Sequence, residues 1–402
     1  MRLAVISPFL DRRHGTERCV IEQIERLVAR HDIQVHLYCE RVSDLAGVVS
    51  QSDAPPSSRI VWHKVPAIAG PHLLAYAWWF CANHFQRWWD SRVHNLKFDL
   101  LYSPGINALD ADVIAVHIVF QEFYSQVRPH LRFRGTPLQS WPRLFHRRLY
   151  YHLIKALEYH VYRNQANRLT AVSGLVASQL KRHFQRIGVE LIRNGVDTDF
   201  FCPSIRAARR PAARERFGLA FDEFTLLFIG NDWKKKGLIT LLEAIADCRE
   251  LPLKLLIVGD DDRRNYAASI QRLGIENRVC FPPTSPDVLQ FYAAADACVA
   301  PSLEDAYGLP VLEAMACGLP VISSSRAGVS EIVNDRTDGF VLRNPEDSSE
   351  LAALLRMLCS NLELCQQIGG RARSTAVRNG WDSNVTQLWD LLKATAERKK
   401  SA

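Results

Sequence analysis

The chain has 402 residues, 48% of them hydrophobic and 23% charged, which excludes a disordered, collagenous or low-complexity class and leaves room for two or three domains with full cores. Its net charge of +7 is uneven: residues 1–200 hold 25 Lys and Arg against 17 Asp and Glu, whereas residues 201–402 hold 25 against 26, so only the first half favours an anionic partner. Ten cysteines without a Cys-x-x-Cys pair sit mostly in apolar runs and read as buried, reduced thiols, not a disulfide framework or a zinc site.

The stretch Met1 to Arg13 has one short apolar segment before it turns polar, which is no signal peptide. The longest apolar run, Leu73 to Ala82, falls far short of the ~20 residues that span a bilayer. A soluble, cytoplasmic protein of a reducing compartment is expected. In chain order, Leu3–Pro8 predicts a strand, Glu17–Ala29 an amphipathic helix and Ile33–Tyr38 a second strand. Strand-like runs recur at Asp99–Ser103, Val113–His117 and Arg168–Val172, with helical stretches between many of them. That alternation predicts an α/β fold with a parallel sheet. Residues 197–220, containing Pro and Arg, interrupt it and are expected to form a linker. A second series follows at Phe224–Gly230, Leu253–Gly259, Val279–Phe281, Ala297–Ala300 and Pro320–Ser323. Ligands of open α/β sheets bind beyond the carboxyl ends of the strands, so two such domains face to face would hold a ligand in a cleft.

The segment Pro301 to Val321 carries the clearest chemistry. A strand ends at Pro301, a loop carries Glu304 and Asp305, Gly308 permits close backbone approach, and Pro310 suits a first helical turn. Free N–H groups at that helix start would cradle a diphosphate. Glu313, one turn in, is placed for two ribose hydroxyls, and Asp305 for hydroxyls of a transferred sugar. The segment resembles the E-x7-E region of the retaining GT-B glycosyltransferases of family 4, with Asp305 at the first Glu and Glu313 at the second. Glu304 is the alternative to Asp305. The resemblance carries Ala306, Tyr307, Gly308 and Leu309 into the donor-binding set.

After the first strand of the second series comes Gly230-Asn-Asp-Trp-Lys234-Lys-Lys236-Gly237. The family has a Gly-Arg loop and then Lys-Gly here. Lys236-Gly237 matches the latter, Asn231 stands at the Arg, and Lys234 is expected to supply the second cation, a departure shared with the lipopolysaccharide-core glucosyltransferases. Two ammonium groups would neutralise a departing diphosphate. Arg13-His14-Gly15-Thr16-Glu17 resembles the family's Gly-Gly-x-Glu loop, with His14 at the first Gly. Gly15 would let the backbone approach the phosphates from the first domain; His14 is otherwise an exposed turn residue. Asn194-Gly195-Val196-Asp197 resembles the family's N-G-V-D loop, whose Asn and Gly would allow a tight turn near the donor. Gly259 opens a Gly-Asp turn, and Asp260–Asp262 are read as that turn and not as a metal-binding D-x-D.

His117, ending a strand, suits contact with the sugar or acceptor, or is a satisfied core histidine. Asp110 is a second candidate on the acceptor side, or caps the strand turn. The basic stretch Arg128–Arg168 is interleaved with Trp141, Phe145, Tyr150, Tyr151, Tyr159 and Tyr162, and upstream lie Trp78, Trp79, Phe85, Trp88 and Trp89. This suits an anionic membrane surface; the alternative is core aromatics beneath a solvated charged face. No nucleic-acid motif is present.

The resemblance thus implies a GT-B fold, two Rossmann-like domains facing across a cleft. Residues 1–196 would bind acceptor and 197–380 the nucleotide sugar, with a helix over 381–402 crossing back. The implied reaction moves a hexose from a UDP-hexose or GDP-mannose donor to a glycan or lipid-linked acceptor with retained configuration, without cofactor or metal. His117, Asp110, Asp305 and Lys236 would serve the chemistry. A nucleotide-sugar epimerase and an inactive binding subunit are the competing readings.

Overall fold

The computed structural model describes residues 1–53, 55, 57–127 and 141–401. They fall into two compact units, one comprising Met1–Arg193 with Asn384–Ala402 and the other Asn194–Ser383.

In chain order, the first unit contains β1 (Arg2–Ile6), β2 (Phe9–Leu10), α1 (Gly15–Arg30), β3 (Gln34–Cys39), β4 (Arg41–Val42), β5 (Val48–Ser50), β6 (Ile60–Lys64) and α2 (His72–Val93). It continues with β7 (Leu100–Pro104), β8 (Val113–Val116), α3 (Phe120–Val127), α4 (Trp141–Arg163), β9 (Arg168–Ala171), α5 (Gly174–Phe184) and β10 (Glu190–Leu191). Eight strands form one sheet in the order β10-β9-β8-β7-β1-β3-β6-β5, paired in parallel; β2 and β4 pair separately. Because helices cover both faces, strands such as Leu3-Ala-Val-Ile6 are buried throughout. On one face Leu3, Val5, Val35, Leu37, Leu100 and Tyr102 pack with Val20, Ile21, Ile24 and Leu27 of α1. The other face carries a buried polar chain that hydropathy does not announce. Tyr38 donates to Asp90 of α2 at 2.8 Å, His63 Nδ1 lies 2.8 Å from the same carboxylate, and His63 Nε2 lies 2.8 Å from His36 Nδ1. Burial pushes His36 down to about 4, so that ring is neutral at ordinary pH.

The second unit runs α6 (Pro203–Arg216), β11 (Phe224–Ile229), α7 (Leu238–Asp247), β12 (Leu253–Val258), α8 (Arg264–Leu273), β13 (Val279–Cys280) and α9 (Leu289–Ala294). Then come β14 (Ala297–Val299), α10 (Leu309–Ala316), β15 (Val321–Ser324), β16 (Phe340–Leu342), α11 (Ser348–Ser360) and α12 (Leu362–Arg378). Its six strands are parallel in the order β13-β12-β11-β14-β15-β16. Leu226, Phe228, Leu255 and Ile257 meet Leu238, Leu241 and Ile245 of α7 and Leu351 and Leu355 of α11 in its core. Helix α12 approaches α10 so closely that a Cβ on Gly369 would collide with the Gly318 carbonyl. The last helix, α13 (Trp381–Ser401), places Val385, Leu388, Leu391 and Leu392 in the first unit's core.

Two expectations need correcting. The segment read as a linker forms helix α6, with Pro203 at its start and Pro211 inside. Three arginines one turn apart offset its poor local propensity by gripping the carbonyl ends of α9. Arg206 donates to Ala295 O at 2.7 Å, Arg210 to Ala295 O at 2.9 Å and to Asp296 at 2.5 Å, and Arg214 to Ala294 O at 3.1 Å. The cysteines are free, but Cys81 is exposed on α2, and Cys202, Cys280 and Cys359 are only partly buried. Among the described residues, no helix is long and apolar enough to cross a membrane.

Candidate active site

In the second unit the loops after β11, β12 and β14 converge. Gly230, ending β11, has φ +143°, and a Cβ there would sit 3.6 Å from Lys236 Cε. Gly259, ending β12, has φ +153°, and a Cβ on it would strike the Gly230 carbonyl, so the two loops approach this closely only because position 259 is glycine. Trp233, buried beneath them, donates from its indole to Gly230 O at 2.9 Å. Asn231, where the family has Arg, accepts from the Asp260 N–H at 2.9 Å and so ties the loops together. The three acids after Gly259 are engaged locally. Asp260 accepts from Thr284 at 3.2 Å, Asp261 from the Trp233 N–H at 2.9 Å, and Asp262 pairs with Arg264 at 2.7 Å.

The lysine run has a clear division. Lys234 is exposed, Lys235 lies 3.9 Å from Asp232, and Lys236 turns inward to an ion pair with Asp305. Gly237 follows with φ +77° and caps α7; a Cβ there would collide with the Pro301 carbonyl. The two segments are laced further by the Leu303 N–H, which donates to Lys235 O at 2.7 Å.

Asp305 is held by its backbone, its N–H donating to Arg326 O and its carbonyl accepting from Gly328 N, both at 3.0 Å. Its carboxylate also accepts from the Tyr307 N–H at 3.3 Å. Ala306 and the buried Tyr307 lead to Gly308, the N-cap of α10 with φ +101°, after which Leu309 and Pro310 begin the helix. Glu313 lies one turn in, only 4% exposed, and accepts from the buried Tyr292 hydroxyl at 2.6 Å. Helix α10 ends with its Ala316 carbonyl taking a bond from Arg373 at 3.0 Å. Lys236, Asp305, the open turn of α10 and Glu313 therefore form one continuous strip of cation, carboxylate, helix N-terminus and buried carboxylate.

The first unit carries the remaining candidates at the carboxyl ends of its strands. His14 caps α1 but makes no side-chain cap; its Nδ1 instead lies 2.8 Å from Asp11, whose carboxylate also accepts from the N–H groups of Arg13 and His14. Burial pushes Asp11 up, yet these bonds hold it below the usual carboxylate range. The turn is thereby fixed, with Gly15 exposed and Thr16 half-buried. His117, just past β8, keeps partial solvent access, but desolvation pushes it down to about 4, leaving a neutral ring. The segment behind it is anchored by the fully buried Glu158 of α4, which accepts from the N–H groups of Phe120 at 2.7 Å and Gln121 at 2.8 Å. Asp110 is paired with Arg87 at 2.7 and 2.9 Å; desolvation opposes this, but the guanidinium holds the carboxyl below its usual range. Asp110 thus has a structural partner that sequence spacing does not reveal.

Gly195 has a packing role beside the one the resemblance implies. Gly195 is not in the left-handed region; a Cβ there would collide with the backbone of Trp381, whose N–H donates to Val196 O at 3.3 Å. Gly195 seats the chain against Trp381, and Asn194 beside it is buried. Asp11, Tyr292, Arg87 and Glu158 were not legible as site residues. Only Asp11 had a local signal, its spacing of three from His14.

The fold is that of the GT-B glycosyltransferases. The solved structure of WaaG, a glycosyltransferase involved in lipopolysaccharide biosynthesis, matches with a TM-score of 0.76 over 97% of this chain and 99% of that one, at 21% identity. HepE of Anabaena, solved with UDP-glucose, matches with a TM-score of 0.71 over 98% of this chain and 100% of that one, at 20% identity. By sequence, the profile of glycosyltransferase family 4 covers residues 13–200 and that of the glycosyl transferases group 1 covers residues 209–375. The chain belongs to the group 1 glycosyltransferases and resembles the lipopolysaccharide-core glucosyltransferases among them.

The D-inositol 3-phosphate glycosyltransferase of Geodermatophilus obscurus is 34% identical over 257 residues, 59% of this chain and 55% of that one. The lipopolysaccharide glucosyltransferase WaaG of Escherichia coli K12 is 31% identical over 150 residues, 37% of this chain and 40% of that one. The chain spans about half the length of the curated relatives it matches first.

Proposed function

We propose that this protein transfers a hexose from a nucleotide diphosphate sugar to a glycan or lipid-linked acceptor, with retained configuration, in cell-surface polysaccharide or lipopolysaccharide synthesis. The observation that carries this is the Lys236–Asp305 pair standing before the N-terminus of α10. Lys236, helped by Lys234, neutralises the departing diphosphate, whose charge grows as the glycosidic bond breaks. The N–H groups opening α10 hold the same phosphates. Asp305 receives hydroxyls of the sugar, and Glu313 takes the ribose. Gly230, Gly259 and Gly308 keep the floor free of side chains. On the first unit, the His14–Thr16 loop suits an anionic group, and the neutral His117 accepts or donates a single hydrogen bond to an acceptor hydroxyl. Asp110 and Asp305 already face cations, so neither is assigned as a nucleophile. The acceptor oxygen attacks the anomeric carbon on the face the diphosphate leaves. The hydroxyl proton passes to a leaving phosphate oxygen as the carbon–oxygen bond to phosphate breaks. No metal is assigned a part.

The same reading places the first unit on an anionic membrane at the cytoplasmic side. Helix α2 exposes Trp78, Phe85, Trp88 and Trp89, and α4 exposes Trp141 and Phe145 beside Arg143 and Arg147. Arg128, Arg132 and Arg134 of the basic stretch lie outside the described residues. A panel of UDP- and GDP-hexoses incubated with membrane extract, read by product mass spectrometry, tests the reaction. Transfer of one hexose supports it, and donor isomerisation or no turnover with any donor refutes it.

A further inference from the structure

Glu313 is the most enclosed carboxylate of the candidate site, and what encloses it is specific. The Tyr292 side chain is fully buried, and its hydroxyl donates to Glu313 Oε2 at 2.6 Å, a short bond to a charged acceptor. Tyr292 itself has little freedom. Its ring stands edge-on to Phe201, with centroids 5.6 Å apart at 88°, and its carbonyl accepts from Arg206 Nε at 3.3 Å. Arg206 belongs to the row of arginines by which α6 grips the end of α9. A carboxylate on a flexible three-bond side chain can present its oxygens in many directions. One oxygen held by a rigid phenol narrows that range of directions.

We infer that Tyr292 is the positioning residue that aims the Glu313 carboxylate at the nucleotide ribose, so that it sets discrimination between ribose and 2′-deoxyribose. This rests on the assignment of Glu313 to the ribose made above. Tyr292 touches no substrate atom; it acts through the carboxylate. A ribose hydroxyl lost from a site built to bond it leaves the carboxylate unsatisfied, which is where selectivity arises. With Tyr292 replaced by Phe, the carboxylate gains rotamers, and the advantage of the hydroxyl falls although Glu313 remains.

Calorimetric titration of the whole protein with UDP and 2′-deoxy-UDP, and in parallel GDP and 2′-deoxy-GDP, tests this with whichever base binds more tightly. The wild type should favour the ribonucleotide about tenfold or more, the worth of one charge-assisted hydrogen bond. Tyr292→Phe should reduce that ratio severalfold by weakening the ribonucleotide alone, and Glu313→Ala should abolish it. If Glu313→Ala abolishes the ratio while Tyr292→Phe preserves it, the positioning role is overturned and the ribose assignment stands. If the wild type shows no preference, or Glu313→Ala keeps it, the ribose assignment falls and this inference with it. Should Tyr292→Phe fail to fold, 3-fluorotyrosine placed at position 292 decides by its fluorine resonance. A larger displacement by UDP than by 2′-deoxy-UDP supports the role, and equal displacements overturn it.

Discussion

Glu158 gives the first unit a pH dependence whose sign and size follow from its surroundings. The carboxyl is fully buried, and burial pushes it from an ordinary 4.5 up to about 7, despite the two backbone N–H groups that favour its charged form. Between pH 4.5 and 7 the folded chain therefore keeps a proton that the unfolded chain has released. The contribution of this group to stability is full below pH 4.5, declines as the pH rises toward 7, and is flat above it. At 1.36 kcal/mol for each unit of pKa, the decline amounts to about 3 kcal/mol. For a unit of roughly two hundred residues that lowers Tm by about 6–12 °C. Glu158→Gln cannot ionise, so its profile lacks this component. It also turns an NH2 donor toward one of the two N–H groups of Phe120 and Gln121, which lowers its stability at all pH values by about 1–3 kcal/mol. Thermal melts at half-unit steps from pH 5 to 8 should show the wild type ahead at pH 5 and the gap closing toward pH 7. A gap that stays constant across the range would refute the reasoning, and would mean that the two N–H bonds keep the carboxylate charged throughout.

Lys236→Ala should lower kcat by about 10²–10³ with a smaller change in KM, the cost typical of losing one preorganised charge on a leaving group. Lys234→Ala should act in the same direction, while Lys235→Ala should be mild; equal effects in steady-state kinetics at all three would dissolve the residue-level assignment. Gly237→Ala should lower Tm and abolish nucleotide binding in a titration, because its φ of +77° and the Pro301 carbonyl both oppose a Cβ; unchanged binding would show the loop to be irrelevant. Transfer should survive excess EDTA, and loss of activity restored by Mg or Mn would remove the lysines as the main neutralisers. Co-sedimentation with anionic liposomes should fall steeply with salt and weaken when Arg143, Arg147 and Arg148 become Ser, since each basic residue near the surface is worth about 1 kcal/mol; indifference to anionic liposomes at low salt would favour a soluble acceptor.

Strands buried on both faces were legible because parallel sheets require near-continuous apolar runs, and β1, β3, β11 and β12 are such runs. Most short edge elements were not, although β13 was. Val48–Ser50, Glu190–Leu191 and Phe340–Leu342 are two or three residues long and take their strand character from a neighbour, not from composition. Helix α6 escaped for the same reason in another form, since its arginines are stabilised by carbonyls some eighty to ninety positions away. At the site, Asp305, Glu313 and Lys236 could be read because each lies a short, fixed distance after a recognisable strand. Their partners could not. Lys236 meets Asp305 across 69 positions, Tyr292 meets Glu313 across 21, and Glu158 meets Phe120 across 38, distances at which only the folded chain brings the groups together.

The membership of α13 in the first unit has a consequence for how the protein can be rearranged. Counted along the chain, the second unit is an insertion: the first unit begins before it and resumes after it. A fragment stopped at residue 193 would lack Val385, Leu388, Leu391 and Leu392 and would expose the apolar face of α1 and the sheet that they cover. The sound way to exchange the second unit on this scaffold is therefore as a cassette replacing residues 194–383, with both flanks of the host retained. Recombination that respects only one junction would leave the first unit with a core it cannot close.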